Sequence, residues 1–334
     1  TNGRPGQGGG DAPAMSAVRP LFLFSQPRAG STLLQRMLGA HPAVHTVAEP
    51  WVLLPLFYAL RRGGAVTEYG QPLTAQAIRE FCEPIEGGVG AYYEEARAMA
   101  LRLYDRAAPE GSVYFLDKTP RYYFIASEIV RTFTDARFVF LWRQPLASAA
   151  SMISRWGKGG WSTYTVHNDL YAAPGLLTKA RELAKSETGD RALDVRYEDL
   201  ITEPERTLDG LLAYLDLETD EATRDAMVHG FSGVELSGSM GDPTGRKAYD
   251  ALDTAPLEKW KQSITNRTRK RWCAEYLDEI GDGVVSAMKP RGRRAVRDWA
   301  RLKADALMVG ARGSILGAPG KRTLVSAVKK GLGR

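Results

Sequence analysis

The sequence predicts an α/β fold of three layers, a mostly parallel central sheet flanked by helices. Three observations predict it. Residues 21–38 read LFLFSQPRAGSTLLQRML, a four-residue apolar strand, a tight turn and a helix opening at Thr32. Residues 137–142 read RFVFLW, a continuous apolar run suited to a strand covered on both faces. Between and after these segments, short apolar strands alternate with longer helical patterns, the signature of a parallel sheet.

Bulk composition supports an ordinary globular chain. Of 334 residues, 44% are hydrophobic and 25% charged, enough to bury a large core. No apolar run reaches the roughly 18 residues that span a bilayer. The longest, Trp51 to Leu60, is broken by Pro55. The Gly-rich start has no apolar signal core, and Cys82 and Cys273 show no metal-ligand spacing, which together point to a reducing cytoplasm. The net charge of +6 is uneven. Residues 289–334 hold thirteen Lys or Arg against two Asp, so the rest of the chain is net negative. Three parts are expected: a disordered segment over 1–17, one domain over 18–288, and a basic helix or tail over 289–334.

The elements follow in order. Strand 21–24 enters the turn 25–31, and the helix after it ends at His41-Pro42. A loop over 40–48 leads to Glu49-Pro50, which reads as the start of a helix running to Leu60. A short helix over 75–82 precedes a longer one over 91–107, with Tyr92, Ala96, Met99 and Leu103 on one side. Strand 113–116 ends in Asp117-Lys118-Thr119-Pro120, and a helix covers 122–133. Strand 137–142 ends in Arg143-Gln144-Pro145, and a helix runs on to Arg155. Helix is expected over 165–185 with a break at Pro174-Gly175, then a fourth strand over 192–196. Helices over 208–217, 221–229 and 266–280 follow, the last capped by Thr265 or Asn266. Between them, 232–253 is a Gly/Ser/Asp-rich loop long enough to suggest function.

In parallel sheets, ligands bind beyond the carboxyl ends of the strands. Here the strands end in cations: Arg28, Lys118, Arg143 and Arg196. Beside them, the turn before Thr32 aims backbone N–H groups and a helix dipole at one point, an anion site. This strand–turn–helix unit makes the fold P-loop NTPase-like. It is no Walker A loop, however. Ser25 and Ser31 stand where the first Gly and the Lys belong, and the cation falls at Arg28. The one strand-end Asp, Asp117, is followed at once by Lys118. The site therefore reads as one that neutralises a phosphorylated ligand with side chains rather than metal.

Pro27-Arg28-Ala29-Gly30-Ser31-Thr32 resembles the 5′-phosphosulfate loop of the sulfotransferases that use 3′-phosphoadenosine 5′-phosphosulfate (PAPS). Arg143 with Ser151 eight positions on resembles their 3′-phosphate motif, and Val195 to Leu200 (VRYEDL) resembles a later shared segment. The three occur in order. Arg rather than Lys in the first loop points to the tyrosylprotein, glycan and bacterial branch. The resemblance implies that Arg28, with Ala29, Gly30, Ser31 and Thr32, holds the 5′-phosphate and the departing charge. It implies that Lys118 lies near the sulfuryl group, that Arg143 and Ser151 hold the 3′-phosphate, and that Gly245-Arg246-Lys247 closes over it. Tyr197 is placed near the adenine or the 3′-phosphate, with an ordinary core tyrosine as the alternative. Glu49 sits where the tyrosylprotein branch has its catalytic Glu. His45 is the nearby alternative base, and His167 and His229 are remote. A first-turn Glu stabilising its helix is the bland reading of Glu49.

The expected activity is sulfuryl transfer from PAPS, without metal, to a hydroxyl of a glycan, glycolipid or natural product. Trp51, Trp156 and Trp161 are candidates for its cleft. A nucleotide-dependent kinase is the rival enzyme. A nucleic-acid or membrane-surface binding protein is the rival of another class. No nucleic-acid motif supports the former, while the basic tail, with Val296, Trp299 and Leu302, offers peripheral membrane contact.

Overall fold

The structure, a computed structural model, describes residues 18–186, 191–241 and 251–287, with side chains to 281. Five strands form its sheet: β1 (Arg19–Ser25), β2 (Val44–Thr46), β3 (Tyr114–Asp117), β4 (Arg137–Trp142) and β5 (Ala192–Arg196). All pairs are parallel, in the order β2-β3-β1-β4-β5. The loop-bearing central strand β1 pairs Phe22 with Asp117 on one side and with Phe138 on the other. Every strand therefore delivers its carboxyl end to the same edge.

Side chains alternate across this sheet, so its apolar strands feed two cores. Phe22, Phe24, Phe138, Phe140 and Trp142 enter one, and Leu21, Leu23, Val139, Leu141 and Val195 the other. The second is closed by α1 (Ser31–Gly39), whose Leu33, Leu34, Met37 and Leu38 are all buried as the spacing implies.

The sheet has one strand more than the sequence indicates. β2 lies in the expected loop 40–48. Three residues with a central histidine carry no strand signal, and tertiary bonds define it. Gln35 of α1 donates to Thr46 Oγ1 (2.8 Å) and the Val47 carbonyl (2.8 Å), and the Thr46 hydroxyl donates to the Leu116 carbonyl (2.8 Å).

The next helix, α2 (Leu53–Tyr58), starts four residues later than Glu49. Trp51 takes a left-handed φ of 59°, which stops a helix from forming there. Glu49 therefore sits in a loop, and first-turn helix stabilisation does not explain it. α3 (Gln71–Cys82) and α4 (Val89–Ala107) follow. The buried face of α4 is Ala96, Ala100, Leu101 and Tyr104, while Met99 and Leu103 are exposed, a rotation from the expected face. Tyr104 is drawn inward by its hydroxyl bond to Asp117 (2.7 Å).

The expected helix 122–133 is a 3₁₀ segment (Pro120–Ile125) running into α5 (Ala126–Thr132). α6 (Pro145–Trp156) begins as read, and Gln144 caps it by accepting from the Ala147 N–H (2.6 Å). The helix expected over 165–185 is a 3₁₀ turn (Tyr164–Val166), α7 (His167–Tyr171) and α8 (Ala173–Ser186), so the break precedes Pro174. α9 (Tyr197–Thr202), α10 (Pro204–Leu215), α11 (Glu221–Val228), α12 (Ala255–Lys259) and α13 (Arg267–Ala287) are the remaining α-helices among the described residues. Asn266 caps α13 by accepting from the Arg269 N–H (3.0 Å). The expected disordered segment 1–17, the pair Arg246-Lys247 and the tail 289–334 lie outside the described residues.

Candidate active site

The site grows from the turn between β1 and α1. The Ala29 N–H donates to the Gln26 carbonyl (3.2 Å), which tightens the turn. Arg28 (φ 67°) and Gly30 (φ 97°) both adopt left-handed backbone. At Gly30 the requirement is also steric, since a Cβ there would lie 2.3 Å from Cδ2 of the Tyr197 ring. The Gly30 carbonyl accepts from the Leu33 (3.0 Å) and Leu34 (3.2 Å) N–H groups and so starts α1. The Ser31 and Thr32 N–H groups have no intrahelical partner by position, and they lie at the positive end of the helix. Of the four backbone N–H groups expected to face an anion, that of Ala29 bonds within the turn.

Two arginines from neighbouring strand tips meet at this turn. Arg143, at the end of β4, donates through one guanidinium nitrogen to the Arg28 carbonyl (2.9 Å) and through the other to the Pro256 carbonyl (3.1 Å). Its guanidinium lies 4.3 Å over the Tyr197 ring, and its buried Nε has no partner among the described residues. Arg28 Nε donates to Ser151 Oγ on α6 (3.2 Å). Tyr197 is buried beneath both Gly30 and Arg143. It shapes the site from below and does not line it.

Glu49 and Lys118 form the other half. Lys118 Nζ, at the tip of β3, lies 3.0 Å from Glu49 Oε1, with side-chain exposures of only 3% and 10%. The second carboxylate oxygen, Oε2, accepts from Trp51 Nε1 (3.2 Å). Of the histidines, His45 lies on β2 with its ring 5.8 Å from that of Phe115, and burial holds its pKa below the usual value. His167 and His229 are exposed. None of the three lines the cleft.

The cleft itself has a volume of about 300 Å³. Pro27, Arg28, Gly30, Ser31, Thr32, Glu49 and Arg143 line it, as do Trp51 and Trp156. Trp161 does not; it packs edge-on against Trp272 (5.5 Å) under Arg269 (4.8 Å). Arg196 is buried at the β5 tip, away from the lining. Sequence reading missed Arg121, Arg155, Met240 and Gly241. Arg155 had a usable signal, being four residues after Ser151 and so on the same helix face. Met240 and Gly241 lie in the long loop 232–253 that the sequence marks as a whole, but nothing in it singles out these two; the return of the chain brings Ser237 back to accept from the Ala48 N–H (2.9 Å). Among the described residues, no group of three or more His, Cys, Asp or Glu is placed to hold a metal. No described helix is long and apolar enough to cross a membrane.

A family model described as "Sulfotransferase family" matches residues 20–221. The nodulation protein NoeE of Sinorhizobium fredii is 28% identical over 317 residues, covering 83% of this chain and 72% of that protein. Protein-tyrosine sulfotransferase 1 of Danio rerio is 27% identical over 254 residues, covering 73% of this chain and 66% of that protein. The chain thus spans slightly under two thirds of that tyrosine sulfotransferase. Among solved structures, the sulfotransferase domain of the Synechococcus PCC 7002 olefin synthase superposes with a TM-score of 0.49 at 24% identity, covering 76% of this chain and 91% of that one.

Proposed function

Because the chain belongs to the sulfotransferase family, we propose that it transfers a sulfuryl group from PAPS to an acceptor hydroxyl, with Glu49 as the general base. The contact between Arg143 and the Arg28 carbonyl (2.9 Å) carries this reading. It brings the residues assigned to the two phosphates to one cleft, within reach of a single nucleotide. The residues fit such a ligand. The guanidinium of Arg143, held by two carbonyls with a further N–H on each terminal nitrogen, and the N–H groups at the start of α1 offer donors for phosphate oxygens.

PAPS, when bound, supplies an activated sulfuryl group and leaves as adenosine 3′,5′-bisphosphate. Arg28, the N–H groups of Gly30 to Thr32 and the Ser31 and Thr32 hydroxyls would hold the 5′ side. Arg143 and Ser151, joined by Arg155, would hold the 3′-phosphate, with Tyr197 acting through Arg143 and with Arg246 and Lys247 contributing from the long loop. Glu49 takes the proton from the acceptor hydroxyl as the new O–S bond forms. Lys118, at 3.0 Å, orients that carboxylate and keeps positive charge beside the reacting oxygens. As in phosphoryl transfer, most of the rate gain comes from position and preorganised charge.

The acceptor proposed is a hydroxylated glycan, glycolipid or natural product. Trp51 and Trp156 in the cleft wall offer flat faces for a ring. A protein tyrosine is the second reading, favoured by the tyrosine sulfotransferase relative. Calorimetry with adenosine 3′,5′-bisphosphate and AMP tests the nucleotide assignment. Wild type should prefer the bisphosphate, and Arg143→Ala should lose roughly 10- to 100-fold of that affinity, the worth of a charge-assisted hydrogen bond. Equal binding of the two nucleotides by wild type would reject it, as would transfer of a γ-phosphoryl group from ATP.

A further inference from the structure

Asp117 enters sequence reading only as a strand-end Asp unsuited to metal. In the structure it is the most enclosed acid near the site, 1% exposed at the end of β3. Its Oδ2 accepts from the Tyr104 hydroxyl of α4 (2.7 Å) and the Tyr122 hydroxyl of the 3₁₀ segment (3.1 Å). Its Oδ1 accepts from the Thr119 hydroxyl (3.1 Å). Two of these hydroxyls lead onward. Tyr122 accepts from the Leu53 N–H (3.1 Å), and Thr119 accepts from the Trp51 N–H (3.4 Å). These are the backbone groups just after Glu49, where the left-handed Trp51 turns the chain. Trp51 in turn donates through its indole to Glu49, and Lys118, the residue after Asp117, grips the other carboxylate oxygen.

A hydroxyl has one proton. While it donates to Asp117, its lone pairs are free to accept from an N–H. The ionised carboxylate thus sets the direction of both relays. We propose that Asp117 is a positioning residue for sulfuryl transfer, fixing through Tyr122 and Thr119 the loop that presents Glu49. This rests on the reading of Glu49 as base, but the geometry of the relay does not. Burial pushes the Asp117 carboxyl up to about 6, against the opposing pull of its three hydroxyl donors and of Lys118. Tyr104, Tyr122, Thr119 and Lys118 face it, with Glu49 beyond Lys118. On protonation one carboxyl oxygen becomes a donor, and the hydroxyl it faces must reverse.

Tyr104 provides the control. It bonds Asp117 as Tyr122 does, yet its bond does not lead to the Glu49 loop. The experiment compares Asp117→Asn, Tyr122→Phe, Thr119→Val and Tyr104→Phe in the full chain. It reads amide hydrogen exchange over 49–53, turnover, and affinity for adenosine 3′,5′-bisphosphate. Asp117→Asn, Tyr122→Phe and Thr119→Val should each speed exchange over 49–53. They should lower kcat on the order of 10- to 100-fold, the scale of a small misplacement, at unchanged bisphosphate affinity. Tyr104→Phe should leave exchange there and kcat near wild type. The acid limb of the wild-type kcat profile, near pH 6, should be absent in Asp117→Asn. Uniform behaviour of all four variants, or wild-type exchange over 49–53 in Asp117→Asn, would overturn the proposal. If the bisphosphate does not bind even to wild type, the PAPS reading fails while the exchange pattern still decides the relay.

Discussion

Replacing Gly30 with alanine tests how the turn is built. Two costs add. A left-handed φ of 97° penalises any L side chain by roughly 1–2 kcal/mol. The new Cβ would also lie 2.3 Å from Cδ2 and 2.5 Å from Cε2 of Tyr197, where carbon atoms prefer about 3.5–4.0 Å. The ring would have to retreat by about 1 Å or more into a packed core, an overpacking cost of roughly 1–3 kcal/mol. The total, about 2–5 kcal/mol, is a large share of a typical stability of roughly 5–15 kcal/mol. The same displacement shifts the ring under Arg143, whose guanidinium rests 4.3 Å from it. Urea unfolding should therefore show the loss in stability, and calorimetry should show weaker binding of adenosine 3′,5′-bisphosphate. In a Tyr197→Ala background only the backbone cost remains, so Gly30→Ala should cost about 1–2 kcal/mol there. An equal cost in both backgrounds would refute the steric reasoning. So would unaltered nucleotide affinity in the single variant.

Two further outcomes are expected. Glu49→Gln should keep bisphosphate affinity and lose most turnover, because the amide cannot take the hydroxyl proton; a wild-type kcat would remove Glu49 from the chemistry. Asp117 should make stability rise as pH falls. Its carboxyl holds a proton more tightly folded (about 6) than unfolded (3.8), so its contribution is complete below about pH 4 and is lost as pH rises through 6. That span is worth about 3 kcal/mol at 1.36 kcal/mol per pH unit. Urea unfolding of wild type and Asp117→Asn between pH 4 and 7 should show wild type losing stability relative to the variant as pH rises. A constant gap would mean that Asp117 does not titrate in this window.

Local chemistry made part of this protein legible in one dimension. A strand, a tight turn and a helix N-terminus are contiguous, so the loop from Pro27 to Thr32 could be read without neighbours. Arg143 is legible as a cation at a strand end, while Ser151 is singled out only by the family resemblance. Glu49 is singled out by the family resemblance, and the expected helix start around it is replaced by a loop. The left-handed Trp51 that moves the helix to Leu53 is sustained by hydroxyls from Thr119 and Tyr122, almost seventy residues away. β2 likewise depends on Gln35 and Leu116, and the buried face of α4 on Asp117.

Residue type and spacing alone determined the parallel α/β fold, the tight turn into a helix N-terminus and the cations at the strand tips, because each is a short-range property of the chain. Tertiary structure decided that Arg28 touches Arg143, that Lys118 clasps Glu49, and that Asp117 lies behind both. Those contacts join segments separated by up to 115 residues, and hydrogen-bond direction and burial exist only once the sheet has brought them together.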